Sequence, residues 1–274
     1  MNRQNPPRLF IYTALPCEAK PLVAHFKLKK DTTVQPFAVY LNSDLCLTVT
    51  GLGKSAMAAG IAYTQALFAG SESPVLLNIG IAGHQHHALG ALFLIDKITD
   101  LDSQKSHYPP LAFTPPCPTA AIETASRPQL SYHNEALCDM EASAFYETAV
   151  RFTSGELVQC LKVISDNALS PAENIQPKQV EALIAAQLAT IERLLSELSA
   201  LAKLISAPEP AQFDALTRRY HFTVSEQGQL KNQLSRWELL SDDPELAWNQ
   251  LQFHKGKDVL VWLDRHISQL EFYL

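Results

Sequence analysis

The segment "PVLLNIGIAG", residues 74–83, constrains the fold of this chain more than any other stretch. Its residues from Val75 to Ala82 are almost continuously apolar. A strand with one face in water alternates apolar and polar residues, whereas an unbroken apolar run is typical of a strand covered on both faces. Covering both faces requires helices above and below a sheet, which is the layout of α/β proteins. We therefore expect an α/β fold with a largely parallel central sheet.

The segments around this strand repeat one pattern, an apolar run followed by helical periodicity. "RLFIYTAL" precedes "EAKPLVAHF", and "DLCLTVTGLG" precedes "KSAMAAGIAYTQALF"; three further apolar runs follow, "ALFLIDKIT", "TAAIETAS" and "QCLKVISDNA". Residues 102–118 are rich in proline, which cannot donate to a sheet ladder, so they predict a surface excursion. Residues 176–206 have apolar side chains at helical spacing and predict one long helix.

The composition changes near residue 206, where "SAPEPAQ" is typical of a linker. We expect an α/β domain over residues 1–207 and a small all-α extension over residues 208–274, in which apolar residues recur at helical spacing. The extension contains several aromatic residues, among them Trp237, Trp248, Trp262 and Tyr273. Two interpretations stay open: its helices form a core of their own, or they dock a partner or cover a neighbouring subunit's active site.

The bulk composition excludes several classes of protein. With 47% hydrophobic and 18% charged residues, the chain has the balance of a globular protein and not of a disordered one. Its formal net charge of −6 gives no long-range attraction for nucleic acid or anionic lipid. The first residues, "MNRQNPPRLF", lack the apolar segment of a signal peptide, and the 5 cysteines form no C-x-x-C pair. We expect a cytoplasmic protein without disulfides, and without nucleic acid or a membrane as a partner.

Carboxylates, glycines and a few cations follow the predicted strands. In an open α/β sheet, ligands bind beyond the carboxyl ends of the strands. The residues found at those positions are Glu18, Gly51, Gly53, Lys54, Ala82, Gly83, Ser126, Arg127, Ser165 and Asp166. We therefore expect one ligand site at this edge of the sheet.

Three motifs near this edge have an ordinary structural explanation beside a functional one. "GLGKSAMAAG" lacks the spacing of a phosphate-binding loop, so its glycines form either a tight turn or a backbone that holds an anion or a hydroxyl. "HQHH", residues 84–87, has no carboxylate or thiolate beside it, so we expect a solvated loop and no metal, with a ligand-lining loop as the alternative. Asp139 and Glu141 lie at the start of a predicted helix. Acids there interact favourably with the helix macrodipole and stabilise the helix by ~0.3–1 kcal/mol. The alternative is that they reach a ligand.

Five motifs in order, "ALPCEAKPL", "TGLGKSAMAAG", "NIGIAG", "CDMEASAF" and "KVISDNA", resemble the nucleoside phosphorylase/nucleosidase superfamily. Within it the chain is most similar to methylthioadenosine/S-adenosylhomocysteine nucleosidases and to hopanoid-associated phosphorylase-like proteins. The resemblance runs from about Leu9 to Ile205. It implies a phosphorylase/hydrolase-like three-layer fold with a largely parallel, mixed central sheet, and assembly as a homo-oligomer, either a dimer or a hexamer.

The resemblance also implies roles for individual residues. Glu18 matches the carboxylate that orients or activates the attacking water. Asp166 matches the aspartate that protonates or hydrogen-bonds N7 of the purine leaving group, with Ser165 as its partner. Met140 matches the methionine that packs on ribose, and Glu141 matches the glutamate that accepts hydrogen bonds from ribose hydroxyls. The backbone that approaches the nucleophile, the sugar and the base matches Gly51, Gly53, Ala82 and Gly83.

The chemistry of glycosidic cleavage sets conditions on these acids. Breaking an N-glycosidic bond builds an oxocarbenium-like sugar and a purine anion, so one acid discharges the base while another carboxylate orders water. Asp166 needs its proton near neutrality, which requires partial burial or an anionic neighbour to raise its pKa. Glu141 is expected to stay ionised while it holds the sugar.

The sequence departs from the family pattern in two places. Lys162 stands where the nucleosidases have an arginine, so the charge is kept and the planar fork is lost. The segment before "CDMEAS" is compressed to "RPQLSYHNEAL" and lacks the aromatic stretch that stacks the purine in those enzymes; the candidate substitutes are Phe113, Tyr132 and His133.

The function that these patterns predict is cleavage of the N-glycosidic bond of a purine nucleoside or 5′-thionucleoside. Hydrolysis is favoured over phosphorolysis because cations are few at the predicted site; the candidate anion contacts are Lys54, Arg127 and Lys162. The alternatives are a phosphorylase with inorganic phosphate as co-substrate, and a catalytically weakened nucleoside-binding or regulatory protein. No other cofactor and no metal is expected.

Overall fold

The computed structural model describes residues 6–68, 73–129, 135–205, 210–241, 251 and 253–269. The chain divides into two compact units, Met1–Ser206 and Ala207–Leu274. The boundary expected from sequence, between residues 207 and 208, lies beside this division. Each unit is considered by itself below, and we call them the α/β unit and the helical unit.

The strands of the α/β unit form one mixed sheet. They are β1 (Leu9–Thr13), β2 (Lys29–Lys30), β3 (Ala38–Leu41), β4 (Leu45–Val49), β5 (Val75–Gly83), β6 (Leu92–Asp100), β7 (Ser106–His107), β8 (Thr119–Thr124), β9 (Leu137–Asp139) and β10 (Val158–Asp166). β5 lies between β1 and β10 and is parallel to both. The α/β class expected from the apolar run at Val75 is confirmed, and so is the mixed sheet that the family resemblance implies.

The strand pairing brings distant parts of the chain together at one end of β5. β10 also pairs with β6, β6 with β8, β8 with β9, and β9 returns to β5, so these strands close a ring. At Gly83, the last residue of β5, Asp166 of β10 is the partner on one side and Cys138 of β9 is the partner on the other. The segments that follow β5, β9 and β10 therefore meet at one place.

Helices cover both faces of the sheet. In the α/β unit they are α1 (Pro16–His25), α2 (Lys54–Leu67), α3 (Ala142–Ala149), α4 (Pro177–Ala185) and α5 (Leu188–Ile205). One apolar core joins the sheet to α2 and α3 through residues such as Ile61 and Phe145. A second core joins the opposite face to α1, α4 and α5 through Leu22, Ile184 and Leu194. The three-layer arrangement explains why β5 is apolar along nearly its whole length.

Two sequence-based expectations outside the sheet have different outcomes. The proline-rich residues 102–118 contribute only the short β7, which pairs with the end of β6. The single long helix expected over residues 176–206 is wrong, because the chain breaks between α4 and α5. The side-chain amide of Gln187 donates to the carbonyl of Gly90 at 3.1 Å and so ties the break to the chain before β6.

The helical unit contains α6 (Phe213–Arg219), α7 (Val224–Leu240) and α8 (Gly256–Ile267). α7 begins with a capping box, in which Thr223 Oγ1 accepts from the N–H of Glu226 and the Glu226 carboxylate accepts from the N–H of Thr223. α8 begins at Gly256, where a side chain is excluded because a Cβ would lie 2.5 Å from the carbonyl oxygen of His221.

The helical unit has an apolar core of its own, built around Leu230, Leu234, Trp237, Val259 and Leu263. Trp248 and Tyr273, which were named with the aromatic residues of this region, lie outside the described residues. Across the described parts of both units, no helix is long and apolar enough to cross a membrane.

Candidate active site

A pocket of about 160 Å³ opens at the carboxyl ends of β1, β5 and β10. Of the site residues predicted from sequence, those that line it are Glu18, Ala82, Gly83, Met140, Glu141, Ser165 and Asp166. Each lies just at or beyond the end of a strand: Glu18 in the first turn of α1, Ala82 at the end of β5, and Glu141 between β9 and α3. The pocket thus occupies the edge of the sheet at which the residues after the strands were expected to meet.

Glu18 is buried and held by the backbone. Its Oε2 accepts the N–H groups of Ala14 at 2.9 Å and Leu15 at 2.8 Å, and its Oε1 accepts the N–H of Ile81 at 3.0 Å. Burial raises the pKa of Glu18, while these N–H groups and the nearby Lys162 ammonium oppose the rise. The carboxylate is therefore fixed in one orientation at the pocket wall.

Lys162 and Asp139 form a fully buried ion pair beside Glu18. The Lys162 ammonium lies 2.8 Å from Asp139 Oδ2, and each side chain is only 1% exposed. A Cβ at Gly80 of β5 would lie 3.1 Å from Glu18 Oε1 and 3.3 Å from Lys162 Nζ, so glycine lets both charged groups approach the strand. Burial by itself lowers the pKa of Lys162, but Asp139 and Glu141 raise it above its ordinary value.

The ion pair changes two expectations. Lys162 was expected as a contact for an anion, but its ammonium is bonded to Asp139 and it is not among the described residues that line the pocket. Asp139 was expected to open a helix or to reach a ligand. It does accept the N–H of Ala142 at 2.8 Å, the first residue of α3, but it also accepts the hydroxyl of Thr124 at 2.8 Å. Asp139 is the counter-ion of Lys162.

Glu141 is buried at the pocket and bonded to the glycine turn after β4. Its Oε1 accepts the N–H of Gly53 at 2.7 Å. Burial and the neighbouring Asp139 raise the pKa of Glu141 to about 7, against the opposing effects of Lys162 and the Gly53 N–H. The pKa of Glu141 is therefore well above the ordinary value of a glutamate, and its ionisation beside a bound sugar stays a prediction.

The glycine turn has the backbone that only glycine adopts readily. Gly51 and Gly53 have φ values of 90° and 93°. The N–H of Gly51 donates to the carbonyl of Ala14 at 3.1 Å, and that of Gly53 donates to Glu141, so both groups are used within the protein. Leu52 between them is the residue of this turn that lines the pocket. The glycines therefore shape the turn and orient Glu141.

Ser165 and Asp166 end β10 at a break in the strand register. The pairing with β5 shifts between Ile164 and Asp166, a bulge-like irregularity that alters the direction of the side chains. The Ser165 hydroxyl donates to Asp166 Oδ1. Both residues are buried and line the pocket, so the hydroxyl fixes the orientation of the carboxyl group.

Lys54 and Arg127, the other two candidate anion contacts, lie outside the pocket lining. The Lys54 ammonium is 2.7 Å from Asp100 Oδ2 and also contacts Asp102. Burial by itself lowers its pKa, but these two acids raise it above its ordinary value. Arg127 is exposed. Among the described residues that line the pocket there is no lysine or arginine, while Glu18, Asp139, Glu141 and Asp166 are there.

Of the two interpretations of "HQHH", the position of His84 fits the alternative, a loop that lines a ligand site. The "HQHH" motif was expected as a solvated loop, yet His84 is 8% exposed and lines the pocket. Its position directly after β5 was the available signal. The described ranges contain no group of three or more His, Cys, Asp or Glu side chains arranged to hold a metal ion.

The candidate aromatic substitutes behave differently from His84. Phe113 packs against the apolar core on the α1 side of the sheet and is not among the described lining residues. Tyr132 and His133 lie outside the described residues. The pocket also has an apolar part formed by Leu52, Met140 and Ile175.

Comparison with known proteins defines the class of fold. No protein-family model matches the sequence, and no curated protein matches it either. Solved structures of nucleosidases do match, and the nucleoside phosphorylase/nucleosidase-like fold expected from the five motifs is confirmed.

One such structure is 5′-methylthioadenosine nucleosidase of Arabidopsis thaliana, with 16% identity, a TM-score of 0.56, and coverage of 70% of this chain and 96% of that one. Another is 5′-methylthioadenosine/S-adenosylhomocysteine nucleosidase of Campylobacter jejuni, with 17% identity, a TM-score of 0.53, and coverage of 70% and 99%. A futalosine hydrolase mutant of Helicobacter pylori matches at 14% identity with a TM-score of 0.50, covering 70% and 99%. At these identities the likeness concerns the fold.

Proposed function

We propose that the α/β unit is an enzyme that hydrolyses the N-glycosidic bond of a purine nucleoside or 5′-thionucleoside. One observation carries the proposal: Glu18, Glu141 and Asp166, from three separate segments, converge on one pocket at the ends of the strands. Cleavage of this bond needs an acid for the leaving base and a carboxylate on the sugar side, so the number and type of groups fit the reaction.

Each acid has a distinct task in the proposed mechanism. Asp166, oriented by Ser165, donates a proton or a hydrogen bond to the purine as the bond to the sugar breaks. Glu18 orders the attacking water, and Glu141 accepts hydrogen bonds from ribose hydroxyls. The transition state carries positive charge on the sugar, and a pocket lined by carboxylates stabilises that charge.

The charge of the pocket favours water over phosphate as the nucleophile. Phosphorolysis requires a site that holds a dianion, usually with arginine or lysine. Lys54 and Lys162 are both engaged by aspartates, and the described lining residues include acids but no lysine or arginine. Inorganic phosphate as a co-substrate therefore belongs only to the alternative of a phosphorylase.

The substrate class is inferred from the neighbours and from the lining. The matched structures from Arabidopsis and Campylobacter are named as nucleosidases of 5′-methylthioadenosine or S-adenosylhomocysteine. The apolar surface of Leu52, Met140 and Ile175 suits a thioether substituent better than a free hydroxyl. The proposal includes a cytoplasmic homo-oligomer that needs no cofactor.

The test is to incubate the full chain with 5′-methylthioadenosine, S-adenosylhomocysteine, adenosine, inosine and guanosine, with and without phosphate. Free base together with free sugar supports hydrolysis, whereas a sugar phosphate supports phosphorolysis. Asp166→Asn is expected to lower kcat by about 10²–10⁴-fold, the usual contribution of a general acid. Asp214→Asn, the same change at an exposed position of α6, is the matched control and should leave the rate unchanged.

Two outcomes contradict the proposal. If no free base forms from any of these nucleosides, the chain is not a nucleosidase for them. If a nucleoside raises the melting temperature without being cleaved, the alternative of a nucleoside-binding or regulatory protein is favoured.

A further inference from the structure

His84 has a property that no other described lining residue of the pocket shares: its side chain is an aromatic ring. The other described lining side chains are aliphatic, carboxylic, amide, hydroxyl or sulfur groups, or belong to glycine and proline. A nucleobase is flat, and a flat ring that is already held in place binds it with a small loss of conformational entropy. The orientation of His84 therefore decides what the pocket offers to a base.

Three hydrogen bonds to the backbone fix the imidazole of His84. Nδ1 accepts the N–H groups of His86 at 3.0 Å and His87 at 2.9 Å, and Nε2 lies 3.0 Å from the carbonyl oxygen of Glu135. A nitrogen that accepts two N–H groups carries no proton, and a nitrogen that faces a carbonyl must donate one. The ring is neutral, with its proton on Nε2, and both nitrogens are used within the protein.

One face of the His84 ring is supported by a second ring. The centroids of His84 and His87 are 3.9 Å apart with an interplanar angle of 25°, and His87 in turn lies 4.5 Å from the ring of Phe93. One ring face is thus covered by His87, and His84 is among the described residues that line the pocket. The backbone N–H of His84 donates to the carbonyl of Asp166 at 3.1 Å, so the ring is carried by the segment beside the proposed acid.

We infer that His84 is the specificity-determining surface on which the purine base packs, with its neutral ring held in one orientation by the backbone and supported by His87. The inference rests on the proposed function for the identity of the ligand. Since both ring nitrogens are occupied, His84 contributes stacking and no hydrogen bond. Such a surface distinguishes a large base from a small one and tolerates different substituents on the purine.

Two substitutions separate the ring from its hydrogen bonds. His84→Asn removes the ring and keeps an acceptor for the turn, because Asn42 and Asn167 already accept the N–H groups two and three residues ahead in this chain, at 2.8–3.0 Å. His84→Phe keeps a ring and loses all of the hydrogen bonds. His86→Asn is the matched control, since His86 is exposed, belongs to the same turn and is not among the described lining residues.

The experiment measures calorimetrically how tightly the full-length variants bind adenine, with cytosine as the small-base comparison, after each variant's melting temperature has been checked. His84→Asn is expected to weaken adenine binding about five- to hundredfold, the range found for base stacking on an aromatic ring. His84→Phe should bind adenine more tightly than His84→Asn, and His86→Asn should match the original protein. In turnover of 5′-methylthioadenosine, His84→Asn should raise KM by a larger factor than it lowers kcat.

Three results overturn the inference: equal adenine affinity in His84→Asn and the original protein, weaker binding in folded His84→Phe than in His84→Asn, or an equal loss in His86→Asn. A fall in kcat without a change in KM would also overturn it. Adenine affinity is measured without turnover. The binding results therefore test the role of His84 even if the protein cleaves none of the nucleosides.

Discussion

The α/β unit and the helical unit differ in the kind of side chain that they bury. In and beside its sheet the α/β unit buries several charged or ionisable side chains, among them Glu18, Asp139, Glu141, Lys162 and Asp166. Among the described residues of the helical unit, the only buried polar side chain is Gln233, and the core is otherwise aliphatic and aromatic. Burying an ion costs several kcal/mol before any pairing. Buried ionisable groups in a pocket therefore indicate a functional site, whereas a core of apolar side chains indicates a structural role.

The α/β unit offsets this cost with bonds that come mainly from the backbone. Glu18 accepts three backbone N–H groups, Glu141 accepts one, and Asp139 accepts one besides the hydroxyl of Thr124. Lys162 provides the one described positive charge within this group. The stability of the α/β unit should therefore depend strongly on Lys162, and that of the helical unit on its apolar packing.

The largest expected effect comes from Lys162→Met, which keeps the length of the side chain and removes its charge. Asp139 is then buried without a counter-ion, and breaking a buried pair in this way costs about 3–5 kcal/mol of unfolding free energy. Urea denaturation followed by far-UV circular dichroism measures the change. Lys162→Arg is the matched control, because it keeps the charge, and it should cost clearly less.

The tryptophans give this measurement an internal reference. All 3 of them, Trp237, Trp248 and Trp262, lie in the sequence of the helical unit. Where the two units unfold independently, tryptophan fluorescence shows an unchanged transition for Lys162→Met. In the circular dichroism measurement, Lys162→Met could instead lower the unfolding free energy by less than about 1 kcal/mol, which is the value of an exposed ion pair. That result would mean that the Lys162–Asp139 pair does not offset the cost of burying the carboxylates.

The second effect tests the helical unit by removing an apolar side chain from its core. Leu263→Ala removes a fully buried side chain from the contact between α7 and α8 and should cost about 2–5 kcal/mol. The fluorescence transition should move to lower urea, while kcat for nucleoside cleavage stays unchanged. Val261→Ala, on the exposed side of the same helix at 63% exposure, is the control and should leave the transition in place. Loss of cleavage in folded Leu263→Ala would show that the units depend on each other.

Part of this difference between the units could be predicted from the sequence. The strand ends were found because apolar periodicity locates strands and topology places their ends together. The pairing of Lys162 was missed, although a signal existed: a lysine inside the otherwise apolar "QCLKVIS" run must be paired if the strand is buried on both faces. Which acid pairs with it depends on the register of β9, and no local pattern contains that information.

Glu141 and His84 show two other limits of sequence reasoning. The pKa of Glu141 depends on burial beside Asp139, so no property of "CDMEAS" alone predicts it. A solvated loop was expected at His84 because no carboxylate or thiolate lies beside its motif in the sequence, yet its ring nitrogens are satisfied by backbone groups that only the folded turn supplies. The break between α4 and α5 could not be predicted either, because the apolar residues of both helices keep the same helical spacing.

The third effect is a pH dependence with opposite signs for stability and for binding. The pKa of Glu141 rises from 4.5 to about 7 on folding, so the folded protein binds more protons in that interval and the ligand-free α/β unit loses stability as the pH rises through it. Ribose hydroxyls donate more strongly to the carboxylate than to the neutral acid, so affinity should instead fall as the pH drops below 7, by at most about tenfold, or about 1.4 kcal/mol, for each pH unit.

The measurement is the affinity for 5′-methylthioadenosine between about pH 5.5 and 8, taken with a turnover-deficient Asp166→Asn protein. Adenine lacks the sugar and should not show the dependence on Glu141. Glu141→Gln should flatten both the binding profile and this part of the stability profile. A binding profile that is equally steep for adenine would assign the titration to another group.

The smallest expected effect tests whether the burial of an ion pair or the distance between its charges sets its contribution to stability. The surface pair Lys20–Glu181 has the same 2.8 Å separation as the pair Lys162–Asp139, but the Lys20 side chain is 69% exposed. Water already solvates the Lys20 charge, so Lys20→Met should cost no more than about 1 kcal/mol and less at high salt. The same denaturation assay as for Lys162→Met gives a direct comparison. If the two substitutions cost the same, the short contact itself and not the burial of charge sets the stability of the α/β unit, and the contrast with the helical unit has another cause.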